Sequence, residues 1–207
     1  GGETAQMPDF YADDEYDLAG FIVGIVPRGR ILDGSAIEEG NVLIGLRSSG
    51  LHTNGYTLAR RLVFERMGLG VNDPFPGMDQ TAGEVLLAVH RSYLNPLMPL
   101  LETGRINGLA HITGGGLPGN LPRVLPEGIG AVIERSSWTP GPLFAEMQKA
   151  GDVDRDEMYR VFNMGVGMVV VVAEDQVDGV MTELKAAGEE PWVMGRTEAG
   201  TGVRYAD

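Results

Sequence analysis

The run GVGMVVVVA at residues 165–173 decides the fold class. It carries no polar side chain and is β-branched over most of its length. A strand with one wet face alternates with period two, so this run reads as a strand covered on both faces. Immediately after it, residues 174–187 place Val177, Val180, Met181 and Leu184 on one helical stripe, with Gly188 as the stop. Upstream, residues 129–134 read as a strand and 142–150 as a helix. The short segments 192–196 and 202–205 close the chain as strands. Nearer the N-terminus, AGFIVGIV at 19–26 reads as a second strand covered on both faces, and NVLIGLR at 41–47 as a third. Residues 56–67 form an amphipathic helix with Leu58, Ala59, Leu62 and Val63 on one face. Residues 81–102 carry a long helical pattern that Pro96 and Pro99 divide. Leu117, Leu121, Val124 and Leu125 follow at helical spacing. Pro118 suits a first turn, but Pro122 would cost a backbone bond within that helix, so it is expected to be short. Strands and helices alternate irregularly, which favours an α/β (α+β) domain, a mixed sheet with helices on one face, over a doubly wound fold.

The 207 residues are 43% hydrophobic and 22% charged, enough for one large or two small globular domains. Sixteen basic against twenty-nine acidic residues leave a net charge of −13. That field repels polyanions and argues against nucleic acid or an anionic membrane as partner. The chain has no cysteine, which excludes disulfides, thiolate nucleophiles and sulfur-ligated zinc. Its only lysines, Lys149 and Lys185, lie outside any Walker-type loop. The longest apolar stretch falls far short of the roughly 20 residues that span a bilayer, so a cytoplasmic location is expected. Residues 1–17 hold six acids and no base and read as a linker. The text opens on glycines rather than methionine, as though a further N-terminal portion preceded it.

Three places could carry chemistry. Residues 48–55, SSGLHTNG, link a buried strand to the start of an amphipathic helix. Free N–H groups and the helix dipole suit an anion there, and Ser48, Ser49 and Thr53 add donors. The alternative is that Asn54 or Thr53 is only an N-cap and His52 a solvated loop residue. At 111–120, HITGGGLPGN, three glycines before a helix let a ligand approach the backbone closely, or simply make a turn. Glu3, after Gly1 and Gly2, could meet a magnesium ion or be a solvated acid. In NMGVGM at 163–168 the glycines read as permitting close packing. His90, among Leu86, Leu87, Val89 and Tyr93, reads as a structural residue of the long helix. With three scattered histidines, a metal cluster of protein side chains alone is not expected.

Four segments, GGETAQMPDFY at 1–11, SSGLHTNGYTLAR at 48–60, HITGGGLPGNLPRVLP at 111–126 and EMYRVFNMGVGM at 157–168, resemble the phosphoribosylformylglycinamidine cyclo-ligases, also called aminoimidazole ribonucleotide synthetases. The likeness runs in order through essentially the whole chain. It implies the fold of that superfamily's C-terminal domain, with residues 1–18 a linker from a missing N-terminal ATP-binding domain and 19–207 the substrate-side domain. It further implies ATP-dependent ring closure of formylglycinamidine ribonucleotide in purine biosynthesis, with ATP and Mg2+ as cofactors and a homodimer at full length. On this resemblance Glu3 matches the acidic position near nucleotide and metal, with Thr4 beside it. Substrate binding falls to Ser49, Gly50, Asn54, Thr113, Gly114, Gly115 and Gly116, with the ribose phosphate held by Gly114, Gly115 and Gly116 together with Asn54 and Ser49. His52 becomes the proton manager, because a histidine near its ordinary pKa of about 6.5 exchanges protons at neutral pH. The family usually has a second glutamate where this chain has Gln6. Two competing readings keep the fold: a related small-molecule kinase, and a catalytically silent phosphate-binding or partner domain.

Overall fold

A computed structural model describes residues 10–12 and 14–206. The chain divides into two units, Gly1–Ile31 and Leu32–Asp207. In the first, the described residues form no helix or strand apart from a 3-10 turn at Arg28–Arg30, with turns or bends at residues 10, 11 and 14. Phe21, Ile22, Val23 and Ile25 are 92–101% exposed. The expected strand at 19–26, covered on both faces, is therefore not formed. A β-strand exists only through inter-strand hydrogen bonds, and among the described residues none pairs with this run.

The second unit is built on a six-stranded mixed sheet. Its strands are β1 (Val42–Arg47), β2 (Ile106–His111), β3 (Ile129–Glu134), β4 (Val166–Val172), β5 (Trp192–Ala199) and β6 (Val203–Ala206), in the order β2-β4-β1-β5-β3-β6. Every neighbouring pair is antiparallel except β3 and β6. The valine run is β4, held between β1 and β2, and its two-sided apolarity follows from two cores. Val169 and Val171 enter one core with Leu43, Leu117, Met147 and Met158. Val170 and Val172 enter the other with Ile44, Leu97, Leu100, Val180 and Leu184. All four valines are fully buried, each contributing about 1.5–3 kcal/mol.

The first face carries most of the helices: α1 (Tyr56–Arg60) running into a π-helical turn at Arg61–Arg66, then α4 (Gly116–Asn120), α5 (Pro142–Gly151) and α6 (Arg155–Val161). The opposite face is covered in part by α3 (Leu94–Thr103) and α7 (Val177–Ala186). The helix expected over 81–102 breaks at 87–93 instead of at its prolines. Its first piece is α2 (Ala82–Leu86), started by a capping box between Thr81 and Glu84. Side-chain donors then take the carbonyls that would extend it: Tyr56 Oη donates to Leu86 O at 2.5 Å and Ser49 Oγ to Val89 O at 2.7 Å. Pro96 sits in the first turn of α3, where its missing N–H costs nothing, and Pro99 is accommodated inside the helix. At Pro122 the chain leaves α4 for a 3-10 turn, Leu121–Arg123, which starts afresh with proline in its first turn.

Candidate functional site

The candidate site lies where the loop at 48–55, the connection at 88–93, the start of β4 and the glycine loop at 113–116 come together. Each is tied in place by a polar side chain. Asn163, 2% exposed, donates from Nδ2 to Gly50 O at 2.8 Å, and its Oδ1 accepts from Gly165 N at 2.9 Å and Ser48 Oγ at 3.2 Å. Trp138 Nε1 donates to Met164 O at 2.9 Å, holding the tight turn in which Met164 and Gly165 both have positive φ. Asn120 Nδ2 spans the carbonyls of Thr113, Gly114 and Gly116, at 3.4, 3.2 and 2.8 Å. At Gly116, φ +59, a Cβ would run into Tyr159 O, so only glycine fits this close approach.

The two loops read from the sequence as ligand-binding meet at Asn54, whose Oδ1 stands 2.9 Å from where a Cβ on Gly114 would be. Beside that contact is an open cavity of about 480 Å³ lined by Gly55, Gly114, Gly115, Pro118, Gly119 and Arg160. Both α1 and α4 begin there, each from a left-handed glycine, Gly55 and Gly115. Among the described residues no acceptor meets the N–H of Gly114 or Gly115. Ser49 and Gly50 instead line a second cavity of about 380 Å³ with Arg47, Gln80 and Thr139. Thr113 stays with the glycine loop through Asn120. Glu3 and Thr4 lie outside the described residues.

His52 departs from its expected chemistry. It is 2% exposed and held with φ +51, followed by Thr53 at φ +61, a strained pair for non-glycine residues. Its Nε2 accepts from Ser49 N at 3.0 Å, and Nδ1 is buried without a partner. The His90 ring stacks on it at 4.0 Å between centroids. Burial, then the nearby His90, His111 and Arg91, push its pKa down to about 4. At neutral pH the ring is an uncharged acceptor closed off from solvent. It is not a base poised near pH 6.5, because desolvation penalises the imidazolium.

His90 and His111 complete the cluster. Their Nε2 atoms are 2.8 Å apart, and their rings lie 4.8 Å apart at 49°. Here the expectation of scattered histidines does not hold. His111 ends β2, His90 lies in the broken helix and His52 in the strand-to-helix loop, and the fold brings all three together. Tyr93 packs edge-on to His52 at 6.2 Å and donates to Arg47 O at 2.6 Å. Asn163, Tyr93, Asn120 and His90 are the site residues that pattern reading missed. The available signal was buried-polar character inside otherwise apolar or glycine-rich segments. Among the described residues this imidazole cluster is the one candidate metal-binding group, and nitrogen donors do not suit magnesium, which takes oxygen ligands. None of these residues fits a magnesium ion.

A mixed six-stranded sheet with glycine-rich loops at its helix starts defines an α+β domain. Residues 38–206 match the family described as AIR synthase related protein, C-terminal domain, and the chain belongs to that family. It is 53% identical over 199 residues to a phosphoribosylformylglycinamidine cyclo-ligase of Trichlorobacter lovleyi, covering 96% of this chain and 57% of the relative. It is also 53% identical over 196 residues to the protein of that name from Bifidobacterium animalis subsp. lactis, covering 94% of this chain and 57% of the relative. The chain thus spans less than two thirds of the length of these relatives. Among solved structures, the thiamine-monophosphate kinase of Stenotrophomonas maltophilia superposes with a TM-score of 0.62 at 17% identity, over 87% of this chain and 54% of that one. The E. coli hydrogenase maturation protein HypE gives 0.55 at 20%, over 84% and 48%. These two likenesses show the fold. Among the described residues no helix is long and apolar enough to cross a membrane.

Proposed function

We propose that this chain is the C-terminal, substrate-side part of a cytoplasmic, ATP-dependent cyclo-ligase that closes formylglycinamidine ribonucleotide to aminoimidazole ribonucleotide. The reading is supported by the relatives of that name at 53% identity. The observation that carries the chain's own share is the meeting of the two glycine-bearing loops at Asn54, over a cavity onto which two helix starts open. Backbone N–H groups at such starts hold a phosphate without a lysine. Gly114, Gly115 and Asn54 take the ribose phosphate, while Arg160 at the rim is paired with Glu157 through two hydrogen bonds of 2.6 Å. Ser49 and Gly50 border the reacting end from the neighbouring cavity. ATP with magnesium, bound by an N-terminal part of the enzyme outside these 207 residues and by Glu3 and Thr4, supplies the phosphoryl group that makes the formyl amide oxygen a leaving group. The amidine nitrogen then closes the ring and phosphate departs. The whole enzyme is a homodimer.

His52 takes the part of a positioning residue in this scheme. Its neutral Nε2 fixes the Ser49 N–H, and with it the loop. Two measurements test the reading. Joined to the remaining part of the Trichlorobacter lovleyi relative, the chain should close the ring, whereas the 207 residues alone should not turn over. In that fusion Asn54→Asp, which places a negative charge against the phosphate, should raise the KM for the ribonucleotide at least tenfold, and well beyond Asn54→Ala, which loses the same hydrogen bond from Nδ2 to His52 O at 2.9 Å without adding charge. An unaltered KM would remove the loop junction from phosphate binding.

A further inference from the structure

We propose that His52, His90 and His111 form a binding site for a divalent transition-metal ion of borderline softness, with zinc the representative occupant. One ring nitrogen from each residue lies within 4.8 Å of the other two. Zinc binds imidazole nitrogens at about 2.0–2.1 Å, which spaces tetrahedral ligands about 3.3 Å apart, so closure needs side-chain movement of roughly 1–1.5 Å. The His90 and His111 Nε2 atoms, 2.8 Å apart, are already closer than that spacing. The donor set contains no carboxylate, and imidazole selects zinc, nickel, cobalt and copper over magnesium and calcium.

The His52 Nδ1, buried with no partner, gains a ligand bond in the loaded site. Its ring proton then moves to Nε2, where Ser49 Oγ at 3.1 Å accepts it, and the bond that Nε2 accepts from Ser49 N in the metal-free chain is given up. A second rearrangement is required. The in-plane lone pairs of rings stacked at 18° cannot converge on one ion, so His90 must turn out of its stack on His52. His90 is free to do so, being only partly buried and seated in the irregular connection at 88–93. His111 is exposed, which leaves the fourth coordination position to water. The site joins three separate segments of the unit Leu32–Asp207, and it stands whether or not the ring-closure reading is right.

The test is titration of the 207-residue chain with Co2+, followed by the visible absorption of tetrahedral nitrogen-ligated cobalt, and then displacement by Zn2+. Binding of one equivalent is expected, with the melting temperature rising as metal is added, because an ion that binds only the folded state stabilises it. His90→Gln and His111→Gln should each weaken binding at least tenfold. Both side chains reach the surface, so the variants should keep the parent's circular dichroism and metal-free melt. Cobalt held by the acidic N-terminal segment is octahedral and absorbs weakly, so it is told apart by its spectrum. A wild-type chain that gives no saturable tetrahedral spectrum at millimolar cobalt would overturn the proposal. So would a folded His90→Gln/His111→Gln double variant that keeps the spectrum.

Discussion

Gly167 of β4 is where the apolar strand touches the candidate site, and replacing it with alanine tests how the site is supported. A Cβ there would overlap the Tyr93 hydroxyl and stand 2.7 Å from His52 Cε1. Tyr93 is 6% exposed, and its hydroxyl donates to Arg47 O at 2.6 Å. Displacing it leaves a buried carbonyl unpaired at about 1–3 kcal/mol, and the added methyl in a filled core costs about 1–3 kcal/mol more. The gain from replacing a strand glycine returns about 0.5–1 kcal/mol. Gly167→Ala should therefore destabilise by about 3 kcal/mol, lowering the melting temperature by roughly 6–12 °C for a domain of this size. Tyr93→Phe removes only the hydrogen bond and should cost about 1 kcal/mol. In the double variant the phenyl ring leaves the new methyl facing Cζ at 3.0 Å in place of the hydroxyl. The combined loss should thus fall short of the sum by about 1–2 kcal/mol, well outside the roughly 0.3–0.5 kcal/mol scatter of independent sites. Urea denaturation of the four proteins, with equal m-values, measures the cycle. Strict additivity, or a Gly167→Ala chain as stable as its parent, would refute the claim that Gly167 exists to admit Tyr93 and His52.

Asn163→Ala should lose at least about 2 kcal/mol, because it strips hydrogen bonds from Gly50 O, Gly165 N and Ser48 Oγ together. Amide exchange across residues 48–52 should quicken at the same time, and a global loss without local quickening would count against Asn163 as the anchor of that loop. Stability should also fall in acid through His52. Its folded pKa of about 4 lies below its ordinary 6.5, so between these values the unfolded chain takes up a proton that the folded chain refuses. The contribution is complete above pH 6.5 and lost as pH falls toward 4, at up to about 1.4 kcal/mol per pH unit. His52→Gln should flatten that slope in denaturation curves recorded across the window, and an unchanged slope would place the acid sensitivity elsewhere.

How far the sequence could be read depended on whether a segment carries its own explanation. The valine run could be placed from pattern alone, because two-sided burial leaves no polar position in 166–172, and the cores on both faces of β4 are the physical reason. The helix stop at Gly188 and the proline-limited helix after the three glycines follow equally from local chemistry, φ and N–H availability. The run at 19–26 has the same apolar pattern as β4 but remains unpaired, since pattern reports what a strand would bury and not whether a partner strand is present. The break at 87–93 was hidden for a related reason: Ser49 and Tyr56, some 30 to 40 residues away, compete for its carbonyls. The short helix α6 escaped notice because seven residues give no clear period, although Asp154, which caps it by accepting from Asp156 N and Glu157 N, was a visible start signal. The histidine cluster is the extreme case. Each ring has an ordinary local reading, solvated loop, helix face and start of a glycine-rich loop. What sets their chemistry is the tertiary surroundings: burial first, then the neighbouring rings, lower the pKa of His52, and proximity pairs His90 with His111. Spacing along the chain carries no trace of that, so the residues most in need of a functional account are those whose neighbours come from elsewhere in the sequence.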